Sequence, residues 1–319
     1  MLSSKYFCKV QFMAMRAGKL FAFLIISLSC FRLQRYAEGR LVQDEVDALE
    51  EIVKTMGSTN WKFKADSCEV EIVGVTPVPP SDAENKIDCQ CNVGNNSDCH
   101  VTRITLKRHS LPGVLPPQLV KLPYLQEIDL AYNYLNGTIP VEWASMQLTT
   151  ISLLVNRLSG EIPKELGNIT TLRNLSLEAN EFSGVVPPEL GKLINLQTLI
   201  LSSNQLTGNL PTSFAGLINL TDLRINDNNF SGSIPNFIQN WRNLRRLEMH
   251  ASGLEGPIPS NISLLSNLVE LKISDIIGPT QAFPLVSDMT GMIRLVLRNC
   301  NISGELPAYI WTMQNMDML

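Results

Sequence analysis

Hydrophobic and polar positions along this chain follow one frame that returns about every 24 residues. A clear copy, residues 196–211, reads LQTLILSSNQLTGNLP. The apolar–polar alternation at the start of the frame predicts a short β-strand, since alternate side chains of a strand face opposite sides. Nine copies of one frame predict a stack of similar coils. The frame begins at Val101, Leu125, Leu148, Leu172, Leu196, Leu220, Leu244, Leu268 and Met292.

The alternation assigns each strand position to one side. In the copy that begins at 220, Leu223 and Ile225 are predicted to point into the core. Asp222, Arg224 and Asn226 are predicted to point to solvent. Strands of successive copies should pair in one parallel sheet, with neighbours about 4.8 Å apart.

Five copies of the frame have an asparagine at the same position, just after the predicted strand. Its amide can satisfy backbone groups of the turn and of the next coil, so these residues predict a buried amide ladder. Substitutes with some hydrogen-bonding capacity are His109, Ser252 and Cys300, whereas Ile276 has none. Residues 274–290 depart further from the frame and predict a distorted coil, for which drift without function is the simpler interpretation. The ladder asparagines are Asn133, Asn156, Asn180, Asn204 and Asn228.

The second half of each copy reads L-x-G-x-I-P, as in residues 135–140 and 230–235. Glycine allows a backbone conformation closed to other residues, and proline removes a hydrogen-bond donor. The run that follows, residues 187–196 for example, predicts a short helical turn.

This ending, together with the 24-residue period, resembles the plant-specific leucine-rich repeat. Residues 127–146, 246–262 and 294–311 resemble the receptor-like kinase subfamily that also carries a malectin-like domain, and the resemblance covers about residues 44–319. It implies an α/β repeat fold: a right-handed leucine-rich-repeat solenoid with a parallel β-sheet on its concave face and a disulfide-linked N-terminal cap. Nine repeats at residues 101–315 and the start of a tenth at 316–319 complete this organisation.

The first 37 residues predict a secretory signal peptide. Arg16 and Lys19 precede a 12-residue apolar run, residues 20–31, which is shorter than the ~20 residues that span a membrane. Cleavage is expected near Ala37, and an uncleaved anchor is the alternative.

Residues 38–100 are predicted to form the cap that covers the first coil. An amphipathic helix is expected from Asp44 to Met56, with Gly57 at its C-cap. Trp61 follows, and the polar, proline-rich residues 74–97 are expected to form a loop. Helix, tryptophan and cysteines together resemble the N-terminal cap of plant leucine-rich-repeat ectodomains.

Four cysteines in this cap, Cys68, Cys89, Cys91 and Cys99, favour disulfides in a secreted protein. Cys89 and Cys91 are too close to pair comfortably, which leaves two pairings open: 68–89 with 91–99, or 68–91 with 89–99. A zinc site is the alternative, but the spacing differs from the common C-x₂-C form. Cys300 stands alone in the ladder and predicts a buried, unreactive thiol.

Composition and motifs narrow the function. The chain is 45% hydrophobic and 18% charged with a net charge of −4, which gives no reason to expect nucleic acid or an anionic membrane as a partner. Kinase motifs are missing, and the three histidines do not suggest a triad or metal cluster. We therefore predict no catalytic, cofactor-binding or metal site. Eight sequons are candidate glycosylation sites: Asn95, Asn136, Asn168, Asn174, Asn219, Asn229, Asn261 and Asn301.

Charged residues alternate in sign on the concave face of the C-terminal coils. Neighbouring strands bring them about 4.8 Å apart, so they can pair with one another in a surface ladder of little energy. The functional interpretation is a polar surface for a peptide or a co-receptor. This candidate binding face comprises Asp222, Arg224, Arg246, Glu248, Glu270, Lys272 and Arg294.

The resemblance implies the ectodomain part of a plant receptor-like kinase, which binds a protein or peptide ligand and a co-receptor ectodomain. It would follow the secretory pathway to the plasma membrane, held there only by a missing downstream helix. The stop inside a tenth repeat predicts a fragment, a truncated gene model or a short splice form. The alternative is a free secreted protein, similar to plant inhibitors of cell-wall-degrading enzymes. Residues of the last coil expected to be partly uncovered are Leu295, Leu297, Ile302, Leu306 and Ile310.

Overall fold

The computed structural model describes residues 40–58, 61–64, 68–72, 80–92 and 98–319. The predicted signal peptide and the sequon at Asn95 lie outside these ranges. We call each copy of the frame a coil, numbered 1 to 9 from residue 101.

The cap begins with helix α1 (Gln43–Thr55), followed by an antiparallel hairpin of β1 (Trp61–Lys64) and β2 (Glu69–Ile72). The helix lies within one residue of its predicted bounds, and Gly57 has φ +85° just after it. Its predicted apolar face is confirmed, because Leu49, Ile52 and Met56 are buried. The hairpin was not predicted.

The other strands belong to two sheets, and from β5 to β15 they alternate between the two. In chain order they are β3 (Glu84–Cys91), β4 (Cys99–Lys107), β5 (Glu127–Asp129), β6 (Asn136–Gly137), β7 (Thr150–Ser152), β8 (Arg157–Glu161), β9 (Asn174–Ser176), β10 (Glu181–Val185), β11 (Thr198–Ile200), β12 (Gln205–Gly208), β13 (Asp222–Arg224), β14 (Asn229–Phe230), β15 (Arg246–Glu248), β16 (Glu270–Ser274) and β17 (Arg294–Arg298).

One ten-stranded sheet carries the first half of every coil. From β4 onward its strands are parallel, and residues one frame apart lie side by side, as Thr198 does with Asp222. Leu199 and Leu223 beneath them are fully buried. The predicted parallel sheet over a continuous core is confirmed.

The predicted loop at residues 74–97 is wrong in part. Residues 84–91 form β3, which pairs antiparallel with β4 at the edge of the main sheet. Only Ile87 of this strand is buried, so the strand lacks the apolar alternation that would have indicated it. Backbone hydrogen bonds to the first coil determine the conformation of β3.

Disulfides join Cys68 to Cys89 and Cys91 to Cys99, which is the first of the two pairings left open.

A second, five-stranded parallel sheet runs along one flank and was not predicted. It contains β6, β8, β10, β12 and β14. Four of its five strands include the glycine of the L-x-G-x-I-P segment, and Gly160 and Gly184 have φ of +81° and +77°. These stretches of two to five residues each bury at most one side chain, so they carry no alternation of buried and exposed positions.

The predicted helical turns are 3₁₀ helices on the convex side. They span Pro117–Lys121, Val141–Ser145, Lys164–Asn168, Pro188–Lys192, Thr212–Gly216, Asn236–Asn240, Ser260–Leu264 and Ala308–Thr312. Coil 8, which is fully described, has no such helix, which confirms its predicted distortion. Gln281 supports this coil instead, because its Oε1 accepts from Ile258 N at 2.8 Å and its Nε2 donates to Cys300 O at 2.7 Å.

The predicted asparagine ladder is confirmed, but its hydrogen bonds run to the preceding coil instead of the next one. Nδ2 of Asn204 donates to Leu177 O at 3.0 Å and Leu201 O at 3.1 Å, while its Oδ1 accepts from Phe182 N at 3.0 Å. The partners outside its own turn belong to the preceding coil, not the next one. Asn133 and Asn180 are buried, whereas the other three are half-buried.

The ladder substitutes use other atoms. At Ser252 the backbone carbonyl accepts from Phe230 N at 2.9 Å. Gly253 lies so close that a Cβ would be 2.4 Å from Phe230 O. Burial, with a contribution from Asp275, raises the pKa of the Cys300 thiol to about 11, so this cysteine is a buried, protonated thiol as predicted.

His109 differs from the other ladder substitutes because its ring faces the cap. Its Nε2 lies 3.0 Å from Glu84 O, and its ring packs edge-on against Trp61. Burial lowers the pKa of His109 below its ordinary value. This side chain therefore connects the first coil to β3 and to the hairpin.

Three burial predictions were wrong. Asn226 is buried rather than solvent-facing, because its Oδ1 accepts from Ser202 Oγ at 2.6 Å and its turn folds over it. Leu295 and Ile310 are also buried. Residues 316–318 cover this end, with Leu295 N donating to Met318 O at 2.9 Å. Leu297 and Ile302 are partly buried and Leu306 is exposed, as predicted.

A second asparagine ladder was missed. These residues stand directly before the first leucine of a coil, and each Nδ2 donates to a carbonyl 25 residues earlier at 2.8–3.1 Å. Four consecutive Asn-Leu pairs at the repeat boundary were the available signal. The members are Asn195, Asn219, Asn243 and Asn267.

Val155 should be a point of backbone strain. It precedes a ladder asparagine with φ +54°, a region that β-branched residues avoid at a cost of about 1–3 kcal/mol. We expect Val155→Asn to raise the free energy of unfolding by about 1 kcal/mol, because asparagine tolerates this conformation. Thermal melts provide the measurement. Ala179→Asn, at φ +55°, is the matched control and should gain less; equal gains would contradict the strain at Val155.

Candidate ligand-binding face

The seven residues of the predicted binding face come together on four adjacent strands. The register of β13, β15, β16 and β17 aligns them in two rows across the concave sheet. The first row contains Asp222, Arg246, Glu270 and Arg294, and the second contains Arg224, Glu248 and Lys272.

Four of these side chains form a closed ring of ion pairs. Arg246 contacts Glu248 at 2.6 Å and Glu270 at 3.5 Å. Lys272 contacts the same two carboxylates, at 2.8 Å and 2.5 Å. Each acid therefore meets two bases, and the ring joins coils 7 and 8.

The ring is partly shielded from water. The side chains of Glu248 and Glu270 are only 7% and 11% exposed, so their interactions are less screened than those of surface pairs. Burial alone would raise the pKa of Glu248, but hydrogen bonds from Lys272 and Arg246 outweigh it and hold that pKa below its ordinary value. Burial opposes the charge of Lys272 as well, yet bonds to both carboxylates raise its pKa. The ring is thus a charged unit, more buried than the predicted surface ladder.

The pairs at the ring's margins differ in strength. Asp222 and Arg224 form a two-point contact at 3.0 and 2.6 Å on one strand. Arg294 is 47% exposed and lies 3.7 Å from Glu270. Contacts along one strand are therefore shorter than the predicted contacts within one row, because the arginine side chains lie along their strands.

The concave face changes character along the solenoid. In the first two coils Arg103 pairs with Glu127 at 2.6 Å, and Lys107 pairs with Asp129 at 3.0 Å. The middle coils instead expose a neutral surface of small hydroxyl and amide groups, all half-buried. Its members are Thr150, Ser152, Asn174, Ser176 and Thr198.

Two stacked cation–π contacts on the flank of coils 1 to 3 were missed. The guanidinium of Arg108 lies 4.2 Å from the ring centre of Tyr132, and that of Arg157 lies 4.6 Å from Tyr134. Members of each pair stand one frame apart in the sequence, which was the available signal. Both tyrosines remain exposed.

Other chemistry is not found in the described part of the chain. It contains no group of three or more His, Cys, Asp or Glu side chains arranged for a metal ion. No helix among those residues combines the length and apolar character needed to cross a membrane.

Family models match two stretches of the chain. Residues 164–281 match "Leucine-rich repeat region" and residues 124–146 match "Leucine Rich Repeat". The chain is a leucine-rich-repeat solenoid.

The probable LRR receptor-like serine/threonine-protein kinase RFK1 of Arabidopsis thaliana is 57% identical over 117 residues, which are 37% of this chain and 11% of that protein. Another probable leucine-rich repeat receptor-like kinase from the same plant is 48% identical over 156 residues, 48% of this chain and 15% of that protein.

A solved structure supports the same fold. The Arabidopsis receptor kinase HAESA, in complex with the peptide hormone IDA and the co-receptor SERK1, is 29% identical with a TM-score of 0.63. The match covers 76% of this chain and 40% of that chain. The aligned part of the chain spans only 11 to 15% of the length of these two curated relatives.

Acid should weaken the C-terminal coils of the solenoid. Glu248, whose folded pKa lies below 4.5, contributes stability above that value, and the contribution is lost as pH falls through the folded pKa. Hydrogen bonds from Ser274, Asn299 and Arg298 lower the pKa of Asp275 from 3.8 to about 2, so its contribution is lost between these values. We expect these groups to leave the thermal midpoint unchanged from pH 7 to 5 and to lower it below about pH 4.

Thermal melts at pH 7, 5, 4 and 3 check this expectation. Glu248→Gln should already be less stable at pH 7, and its midpoint should then fall less than that of the wild type between pH 5 and 3. A fall of the same size in both proteins would contradict the assignment to the ring.

Proposed function

We propose that this chain is the extracellular ligand- and co-receptor-binding part of a plant receptor-like kinase. The support is its similarity to the HAESA ectodomain, which is in complex with a peptide hormone and a co-receptor. A peptide or protein segment would lie across the concave sheet, where leucine-rich-repeat solenoids commonly bind partners.

The observation that carries this proposal is the neutral stretch in the middle of the concave face. Ser152, Ser176 and Thr198 offer hydrogen-bonding groups that are not engaged in ion pairs. Paired charges border this stretch on both sides, with the ring of coils 7 and 8 as a stiff boundary. The seven candidate residues would then form the C-terminal end of the ligand surface, with Arg294 the most exposed among them.

The remainder of the proposal concerns the whole protein. Its relatives are named as receptor-like serine/threonine kinases, so we propose a membrane helix and a cytoplasmic kinase beyond these residues. Membership of the subfamily with a malectin-like domain is part of the same proposal. Signal peptide, cap and nine repeats would have the boundaries given above, and the protein would travel through the secretory pathway to the plasma membrane.

A capture experiment tests the concave face. The secreted chain is immobilised and exposed to the peptide fraction of plant extracellular fluid, and retained peptides are identified by mass spectrometry. Ser176→Arg places a long cation in the neutral stretch, whereas Thr212→Arg places the same residue on an exposed convex position. We expect capture of the same peptides by wild type and Thr212→Arg, and at least a tenfold loss with Ser176→Arg, which corresponds to about 1.4 kcal/mol.

Equal capture by both arginine variants would overturn the assignment to the concave face. Failure of the wild type to retain any peptide more than a denatured sample does would overturn peptide binding itself. Thermal melts of both variants confirm that each is folded before capture is compared.

A further inference from the structure

The distorted coil creates a groove on the convex side of the solenoid. Its volume is about 570 Å³, within the range of small-ligand sites. One wall is the 3₁₀ helix of coil 7, Ser260–Leu264, together with the preceding residues Pro257 and Ile258. The other wall is residues 281–285 of coil 8.

The groove exists because coil 8 has no 3₁₀ helix to stack on that of coil 7. An extended segment takes the place of the helix and contributes Phe283, Pro284 and Leu285 to the wall. Leu285 is exposed and Phe283 is half-buried. The surface is therefore largely apolar, with hydroxyl groups of Ser260 and Ser263 beside it.

A glycosylation motif lies in the same wall. Asn261 and Ser263, the first and third residues of the sequon, both line the groove. Nδ2 of Asn261 donates one hydrogen to Asn236 O at 2.6 Å. Its Oδ1 is buried and has no hydrogen-bond partner among the described residues. The acceptor nitrogen is thus fixed next to the groove.

We propose that Asn261 carries an N-linked glycan and that the first N-acetylglucosamine of this glycan occupies the groove. The apolar face and acetyl methyl of the sugar match Phe283 and Leu285, and its polar groups can bond with the hydroxyl groups of Ser260 and Ser263. This inference rests on the part of the proposed function that sends the chain through the secretory pathway.

The chemistry requires only the usual lipid-linked oligosaccharide donor of that pathway. Nδ2 of Asn261 forms a bond to C1 of the sugar and loses one proton, and the lipid diphosphate leaves from C1. The second N–H of Asn261 remains and continues to donate to Asn236 O. The contact that holds the acceptor side chain is therefore compatible with the modification.

The sequon at Asn168 provides a contrast on the same side of the solenoid. Asn168 is exposed at the end of the helix Lys164–Asn168, and the next coil has its own helix, Pro188–Lys192. A glycan there would project into water. Glycans at the two sites should therefore have different effects on the protein.

The test uses the full chain secreted from plant cells. Glycopeptide mass spectrometry first determines whether Asn261 is occupied. Hydrogen exchange of residues 279–286 is then compared before and after enzymatic removal of N-glycans. We expect removal to accelerate exchange in this segment about fivefold, the factor that a loss of ~1 kcal/mol gives.

Two variants make the result specific. Ser263→Ala deletes the sequon without changing Asn261, and Thr170→Ala deletes the sequon of Asn168. Segment 279–286 of Ser263→Ala should exchange fast both before and after glycan removal, whereas Thr170→Ala should behave as the wild type. An unmodified Asn261 in a chain glycosylated elsewhere would overturn the proposal. So would an occupied Asn261 whose glycan leaves the exchange of residues 279–286 unchanged. A chain that stays inside the cell without any glycan would refute secretion, and with it the proposed function.

Discussion

Replacing Glu45 by alanine is expected to destabilise the N-terminal cap by about 3–5 kcal/mol, which is the cost of removing one partner from a buried charged pair. Glu45 is buried on helix α1, with Oε1 lying 2.5 Å from Nδ1 of His100 and Oε2 accepting from Val101 N at 2.8 Å. The variant leaves His100 and a buried backbone N–H unpaired. Nε2 of His100 already has no hydrogen-bond partner among the described residues, so the ring would keep only its contact with Tyr124.

The measurement is a thermal or denaturant melt combined with hydrogen exchange of the first coil. Amides near Val101 and Ile104 should exchange much faster in the variant, while those near Leu199 should not change. Glu50→Ala is the matched control, because Glu50 is exposed on the same helix. Equal stability of Glu45→Ala and Glu50→Ala would show that the carboxylate does not connect cap and solenoid as described.

This connection illustrates what the sequence could not indicate. The periodic positions of α1 predicted its apolar face, but Glu45 stands among buried residues with no local reason. Its partners, His100 and Val101, are more than 50 residues away. A buried acid is recognisable only once the element that pairs with it is known.

The repeat frame predicted more than the cap did. A fixed period determines which residues become neighbours, so the alignment of Asp222 with Arg246 followed directly from counting. The frame also predicted the core positions of the central coils. It failed for β3, whose conformation depends on backbone pairing at a sheet edge. It also failed for the flanking sheet, whose short strands each bury at most one side chain and so show no strand periodicity.

The candidate face was predicted in position but not in geometry. Periodicity indicated that the charges of coils 6 to 9 are neighbours, and they are. The ring depends instead on side-chain conformations: Arg246 extends along its own strand to Glu248 and reaches Glu270 at a longer distance. Likewise, the groove beside Asn261 exists because coil 8 lacks the 3₁₀ helix of the other coils. The irregular sequence of coil 8 indicates a distortion but does not determine the shape of the groove.

The ladder should respond strongly to the loss of one member. We expect Asn204→Ala to lower the free energy of unfolding by about 1–3 kcal/mol, the cost of leaving one buried backbone group unpaired. Phe182 N would lose its acceptor. Three carbonyls, those of Leu177, Leu201 and Ser202, would each lose one donor. Each keeps another donor, from Asn180 Nδ2, Asn228 Nδ2 and Ala179 N respectively, so Phe182 N is the group left unpaired. Chemical denaturation with hydrogen exchange around Phe182 and Leu206 provides the measurement.

Two further variants separate the ladder's contribution from a general effect of removing an amide. Asn204→Asp retains an acceptor for Phe182 N but places a carboxylate against Leu177 O and Leu201 O, so it should be at least as damaging as alanine. Asn195→Ala removes an exposed member of the second ladder, whose single bond to Thr170 O can be replaced by water, and should cost less than about 1 kcal/mol. If Asn195→Ala and Asn204→Ala destabilised the protein equally, burial would not distinguish the two ladders, and the strand-end asparagines would lose their assigned structural role.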